Sequence, residues 1–204
     1  QGRASILARQ GLGPDSQRHL DDINHQVQRM TRIIEQLLDC FRHVPDARRP
    51  VDLAFMLRDL VTGLREDPRA GNVPVTLNLP EGDVWVNAEP TRLELACLNV
   101  IRNACEAARG QVVVAVTRAG EYWDVQVDDD GPGISGALRE RIFEPFYSTR
   151  PAGEGTGLGL AMVKSVVKEH QGRLVVADSE PGGCRMTLSW PAATPPSPTS
   201  EVAP

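Results

Sequence analysis

The chain has 204 residues, 41% hydrophobic and 24% charged, a composition that fits one large or two small globular domains with a real core. A formal charge of −5 offers no general basic field for nucleic acid, so any phosphate binding must come from local geometry, in a nucleotide pocket rather than on a nucleic-acid surface. The four cysteines, Cys40, Cys97, Cys105 and Cys184, show no metal-ligand spacing and read as reduced core residues. No apolar run approaches the roughly 20 residues that cross a bilayer and no signal peptide opens the chain, which predicts a cytoplasmic piece and leaves open an anchor elsewhere in a longer parent.

Residues 1–10, QGRASILARQ, read as the end of a helix that began earlier, in a fragment excised from something longer, and GLGPDS supplies a turn. From Leu20 the apolar positions Leu20, Ile23, Val27, Met30, Ile34, Leu37 and Phe41 alternate steps of three and four, a coiled-coil or bundle seam. A helical hairpin over 1–43 that pairs with a second copy is the expectation, followed by a proline-broken linker over 44–50. VDLAFMLRDLVTGL then predicts a short strand and an amphipathic helix, and VPVTLNLP and DVWVNA predict two strands split by a turn. A helix over 91–109 with Gly110 as its stop precedes a hairpin turning at Ala119 and Gly120. After an irregular segment over 130–155, a helix over 157–170 and two last strands, RLVVAD and CRMTLSW, complete the domain at 191. Residues 192–204, rich in Pro, Ser and Thr, predict a disordered tail. Because strands and helices do not alternate strictly, the expected fold is a two-layer α/β sandwich with a mixed, largely antiparallel sheet.

Three stretches carry candidate chemistry. On the helix over 91–109, Asn99, Asn103 and Glu106 fall on one face. Asparagines inside a helix are unfavourable, so oxygen donors to a phosphate-bound Mg²⁺ are one reason for them and a solvated face is the other. In VDDDGPGI, Asp129 stands at a strand end before Gly131 and Gly133, placed to accept from an exocyclic amino group, although Asp-Gly-Pro-Gly is also common turn chemistry. In RIFEPFYSTRPAGEG the aromatic residues read as anchors of a lid from which Arg150 would reach a terminal phosphate. The glycine-rich run into the helix over 157–170, with Thr156 as its cap, suits phosphate at a helix start.

In order, LNVIRNACEAA, DDGPGI, IFEPFYSTR, GTGLGLAMVK and PGGCRMTLSWP resemble the N, G1, F, G2 and G3 boxes of the ATP-binding domain of sensor histidine kinases, within the superfamily shared with gyrase, Hsp90 and MutL. Residues 16–43 resemble the second helix of that family's dimerisation and phosphoacceptor hairpin. The resemblance implies a Bergerat-type ATP-binding fold over 51–191 and a cytoplasmic kinase of a two-component system. Asn103 would hold Mg²⁺ with Asn99 beside it, Glu106 would share their face, and Asp129 would contact the adenine amino group. Gly131 and Gly133 would let the backbone close over the base. Gly155, Thr156, Gly157, Leu158 and Gly159 would form the hinge and the phosphate-binding helix start, with Arg150 and Lys164 as auxiliary charges and Phe143 and Phe146 as lid anchors. Partners would be ATP, a response regulator receiver domain and a second copy of the chain.

Two departures matter. The ATP-hydrolysing branches resemble a pattern with glutamate four residues before the Mg²⁺ asparagine, and here that place is Asn99, which cannot act as a base. None of His19, His25, His43 and His170 lies in a pattern resembling HExxxPL, so each reads as an ordinary surface residue and the phosphoacceptor is expected upstream of the fragment. The other reading is a nucleotide-binding regulatory module without kinase activity.

Overall fold

The computed structural model describes residues 18, 19, 23, 27, 47–64, 73–150, 156–180 and 182–196. The chain divides into two compact units, one of residues 1–44 with 148–156, the other of 45–147 with 157–204. In the first unit Arg18, His19, Ile23 and Val27 are helical, and the rest of the expected hairpin lies outside the described residues.

The second unit opens with β1 (Arg49–Asp52), which starts within the expected linker, and runs directly into α1 (Leu53–Leu64). The Asp52 carboxylate accepts the Phe55 N–H at 2.9 Å and starts the helix, while Leu53, Leu57, Leu60 and Leu64 bury one stripe of it. β2 (Val75–Asn78) and β3 (Trp85–Ala88) do not pair with each other. β2 lies parallel to β4 (Val112–Ala119) at one edge of a five-stranded sheet, and β3 pairs antiparallel with β1 in a separate two-stranded ribbon.

Between β3 and β4 runs α2 (Pro90–Ala107), started by Pro90 in its first turn and by Glu89, whose carboxylate accepts the N–H groups of Thr91 and Arg92 at 3.1 and 3.2 Å. The helix stops at Ala107, three residues before Gly110, because the Arg109 and Gly110 N–H groups turn away to the Asp130 carboxylate at 2.8 and 3.1 Å. β5 (Tyr122–Asp129) closes the expected hairpin with β4. Two single 3₁₀ turns, Gly136–Leu138 and Arg141–Phe143, follow it. Then come α3 (Gly159–Glu169), β6 (Arg173–Asp178) and β7 (Cys184–Pro191), giving the sheet order β2-β4-β5-β7-β6. Only the β2–β4 pairing is parallel, so the sheet is mixed and largely antiparallel, as expected.

Alternation along β4, β5 and β7 turns Val112, Val114, Val116, Val125, Val127, Met186, Leu188 and Trp190 inward, where they share one core with the buried stripes of α1, α2 and α3. Cys97, Cys105 and Cys184 are free thiols in that core, and burial pushes Cys97 and Cys184 up to about 12, so they act as small apolar side chains. Backbone bonding continues past Pro191: the Ala192 N–H reaches the Glu121 carbonyl and the Ala193 N–H the Trp85 carbonyl, each at 2.9 Å, so the first residues assigned to the tail are held against β3. Residues 197–204 of that expected tail lie outside the described set.

Candidate functional site

Asp129 is the last residue of β5 and is 6% exposed. Its Oδ1 accepts the N–H of Gly131 at 2.9 Å and that of Cys184 at 3.2 Å, and Oδ2 accepts no hydrogen bond among the described residues. Burial pushes the carboxyl above the usual carboxylate range, against the opposing pull of those two N–H groups and with a small push from Asp130 and Asp128. The result is a carboxylate braced on one oxygen and presenting the other.

Glycines allow that bracing. A Cβ on Gly131 would lie 2.5 Å from the Ala107 carbonyl oxygen, and one on Gly183 would lie 2.6 Å from Asp129 Oδ1, so strand end, helix end and the β6–β7 turn meet only because these residues lack side chains. Gly133 has φ +72, a left-handed conformation that suits glycine, and faces the Gly183 carbonyl.

On α2, the wheel reading holds in outline: Leu93, Cys97, Val100 and Ala104 are buried, Asn99 and Asn103 are half-buried, and Glu106 is exposed. Asn99 donates its amide to the Leu95 carbonyl at 2.8 Å, which turns Oδ1 towards α3, where a Cβ on Gly159 would stand 2.7 Å from it. The two helices thus approach across an asparagine oxygen and a bare Cα. Amide oxygens are the hard donors that Mg²⁺ takes alongside phosphate and water, so the donor chemistry of Asn103 and Asn99 fits that ion.

The start of α3 differs from the expectation. The helix begins at Gly159, not 157, and its capping position is Leu158, not Thr156, with no side-chain cap bond. The N–H groups of a helix's first turn suit an anion. Gly157 has φ +67, and a Cβ there would come within 2.7 Å of both Phe146 Cα and the Tyr147 nitrogen, while the Phe146 N–H donates to the Gly157 carbonyl at 3.0 Å.

The aromatic anchors also differ. Ile142 is 8% exposed and Phe143 and Tyr147 pack against the core, but Phe146 is 67% exposed with φ 67, so the anchoring falls to Ile142, Phe143 and Tyr147. Lys164 is exposed on α3 with Nζ 5.7 Å from the Phe143 ring centroid. Arg150, whose N–H donates to Ser148 Oγ at 3.2 Å, and Thr156 belong to the first unit, and Gly155 lies outside the described residues.

Two functional supports were not legible in the sequence. His170 is no surface residue: it is 3% exposed, its Nε2 accepts the Glu89 N–H at 3.0 Å, and its Nδ1 donates to the Val166 carbonyl at 2.7 Å. It therefore ties the end of α3 to the start of α2 as a neutral imidazole, edge-on to Trp190 at 5.6 Å between ring centroids. Ser179, 6% exposed, donates its hydroxyl to the Asp129 carbonyl at 2.7 Å.

Several known proteins are similar to this chain. The chain is 38% identical over 121 residues to the sensor histidine kinase CpxA of Escherichia coli (strain K12), an alignment covering 57% of this chain and 26% of that protein. It is 33% identical over 198 residues to the sensor protein ChvG of Rhizobium meliloti (strain 1021), covering 86% and 34%. The chain thus spans about a quarter to a third of the curated relatives it matches. Among solved structures, the mycobacterial sensor histidine kinase MprB aligns with a TM-score of 0.63 at 28% identity, over 72% of this chain and 98% of that one. The family model described as histidine kinase-, DNA gyrase B-, and HSP90-like ATPase matches residues 88–194, the span that contains α2, the Asp129 turn and α3. With more than half of its length matched, the chain belongs to the histidine kinase-, DNA gyrase B-, and HSP90-like ATPase family.

Proposed function

We propose that this chain is the ATP-binding catalytic part of a two-component sensor histidine kinase. In this reading the γ-phosphate of bound ATP passes to a histidine that is not one of the four in this chain, and from there to a receiver domain of a response regulator. The observation that carries it is Asp129: a buried carboxylate with Oδ1 braced by two backbone donors and Oδ2 left for the amino group of adenine. The seam through Ile23 and Val27, which are 55% and 43% exposed, supports pairing of two copies through the hairpin.

Each site residue then has a task. Asp129 selects the base, Gly131 and Gly133 allow the backbone to lie along it, and the first turn of α3, beginning at Gly159, receives phosphate. Asn103, with Asn99 beside it, would hold Mg²⁺, an ion that offsets charge on the phosphates when bound. Lys164, exposed on α3, would be an auxiliary charge, and Glu106, exposed on α2, would share the face of the two asparagines. Asn99, in the place where the hydrolysing branches carry glutamate, has no proton-accepting carboxylate, which suits transfer to a histidine over hydrolysis of that type.

Calorimetric titration with Mg²⁺ and ADP tests the site. Asn103→Ala and Asp129→Ala should each weaken binding by more than tenfold, above about 1.4 kcal/mol. Unchanged affinity in both variants would sink the assignment.

A further inference from the structure

The turn between β6 and β7, with the sequence SEPGG, reads as ordinary turn chemistry, yet its first residue is as buried as Asp129 itself, both being 6% exposed. The Ser179 hydroxyl is used in both directions. It donates to the Asp129 carbonyl oxygen at 2.7 Å and accepts the Gly183 N–H at 3.0 Å. Backbone bonds complete the turn, from the Ser179 N–H to the Gly183 carbonyl at 3.1 Å and from the Gly182 N–H to the Ser179 carbonyl at 3.0 Å. The residue that follows, Cys184, is the second donor to Asp129 Oδ1. One hydroxyl therefore fixes the backbone on both sides of the carboxylate: the Asp129 main chain directly, and through Gly183 the N–H that holds Oδ1 in place.

The geometry points to Ser179 as a positioning and specificity-determining residue: by fastening the β6–β7 turn to Asp129, it aims Oδ2 at the exocyclic amino group of a purine nucleotide and so sets the preference for a base that carries one. The inference rests on the reading of Asp129 as the adenine contact. Without the hydroxyl, the Asp129 carbonyl and the Gly183 N–H lose a buried partner, the turn is free to shift, and the Cys184 donor moves with it. Oδ1 is then held by Gly131 alone, and the direction of Oδ2 is no longer set.

Affinities of the 204-residue chain for ADP and for purine riboside diphosphate, which has hydrogen in place of the amino group, are measured with Mg²⁺ for the unaltered protein, Ser179→Ala, Ser179→Thr and Asp129→Ala. The unaltered chain should prefer ADP by about tenfold or more, the worth of one hydrogen bond to a charged acceptor. Ser179→Ala should lose most of that preference while binding the analogue within about threefold of the unaltered chain, and Ser179→Thr, which keeps the hydroxyl, should retain the preference. Equal weakening of both nucleotides in Ser179→Ala marks a merely structural role and overturns the inference, as does an intact preference in that variant when Asp129→Ala has lost it. An unaltered chain that does not discriminate removes the Asp129 reading itself, and this inference with it. If Ser179→Ala does not fold, Ser179→Cys, which keeps the volume but donates weakly, takes its place with the same expected loss and the same overturning results.

Discussion

Asp129 shows how one carboxyl can be set by its surroundings. Burial raises it, so on acidification it becomes protonated at higher pH than an exposed aspartate would, and a protonated carboxyl no longer offers a charged acceptor to an amino group. ADP affinity should therefore fall as pH drops, from above the ordinary carboxylate range; calorimetry at several pH values, with Asp129→Asn reporting the nucleotide's own titration, checks this, and parallel profiles would refute it. Gly131 is the complementary case. A methyl group there meets the Ala107 carbonyl oxygen, a backbone atom that cannot swing aside, so Gly131→Ala should cost about 1–3 kcal/mol of stability in a denaturant titration and weaken ADP binding as well. The spacing of Asp129, Gly131 and Gly133 was readable because a tight turn after a strand restricts residue types. Ser179 was not, since a serine opening a turn looks the same whether its hydroxyl meets water or the backbone of a distant strand.

The elements of the site are held by their ends. Glu89 starts α2, His170 finishes α3, and the His170 ring joins the two by accepting the Glu89 N–H. Arg92 reaches Glu169, and Arg48 reaches the Glu169 carbonyl, so both cations lie near the imidazole. Burial lowers the His170 pKa, the Val166 carbonyl raises it, Arg48 and Arg92 lower it, Glu89 raises it, and the balance is downward. A group with a depressed folded pKa contributes stability that is complete above its unfolded value of about 6.5 and is lost as pH falls through the folded value. Denaturant midpoints should accordingly decline below about pH 6.5, and His170→Gln, which cannot titrate, should remove that component; an unchanged pH profile in the variant would show that His170 is not its source. His170→Ala should cost about 2 kcal/mol or more, since it opens a cavity beside Trp190 and leaves the buried Glu89 N–H unpaired. Element order followed from hydrophobic period. The ends of α2 and α3 were misplaced by up to two residues; at α2 the stop is decided by the Asp130 carboxylate, which a helix wheel does not contain.

For the whole molecule, the chain is expected to bind Mg²⁺-ATP without phosphorylating itself. No histidine stands in a phosphoacceptor pattern, and Asn99 occupies the place of a hydrolytic base. Incubation with γ-labelled ATP should leave no acid-labile phosphohistidine on the chain and release little inorganic phosphate; label on any of its four histidines would contradict this. Five motifs in order were enough to identify an ATP-binding sandwich of the histidine kinase type, because each demands unusual residues at a fixed spacing: asparagines inside a helix, glycines where backbones nearly touch, and an acid at a strand end. Hydrophobic alternation likewise determined the hairpin of β4 and β5 and the inward face of the sheet, since period-two burial is written along each strand. Tertiary structure alone decided that β2 joins the large sheet parallel to β4 while β3 leaves to pair with β1, that His170 is buried, and that Ser179 braces Asp129. Those are agreements between segments tens of residues apart, and no local pattern of side chains encodes which distant backbone will meet them.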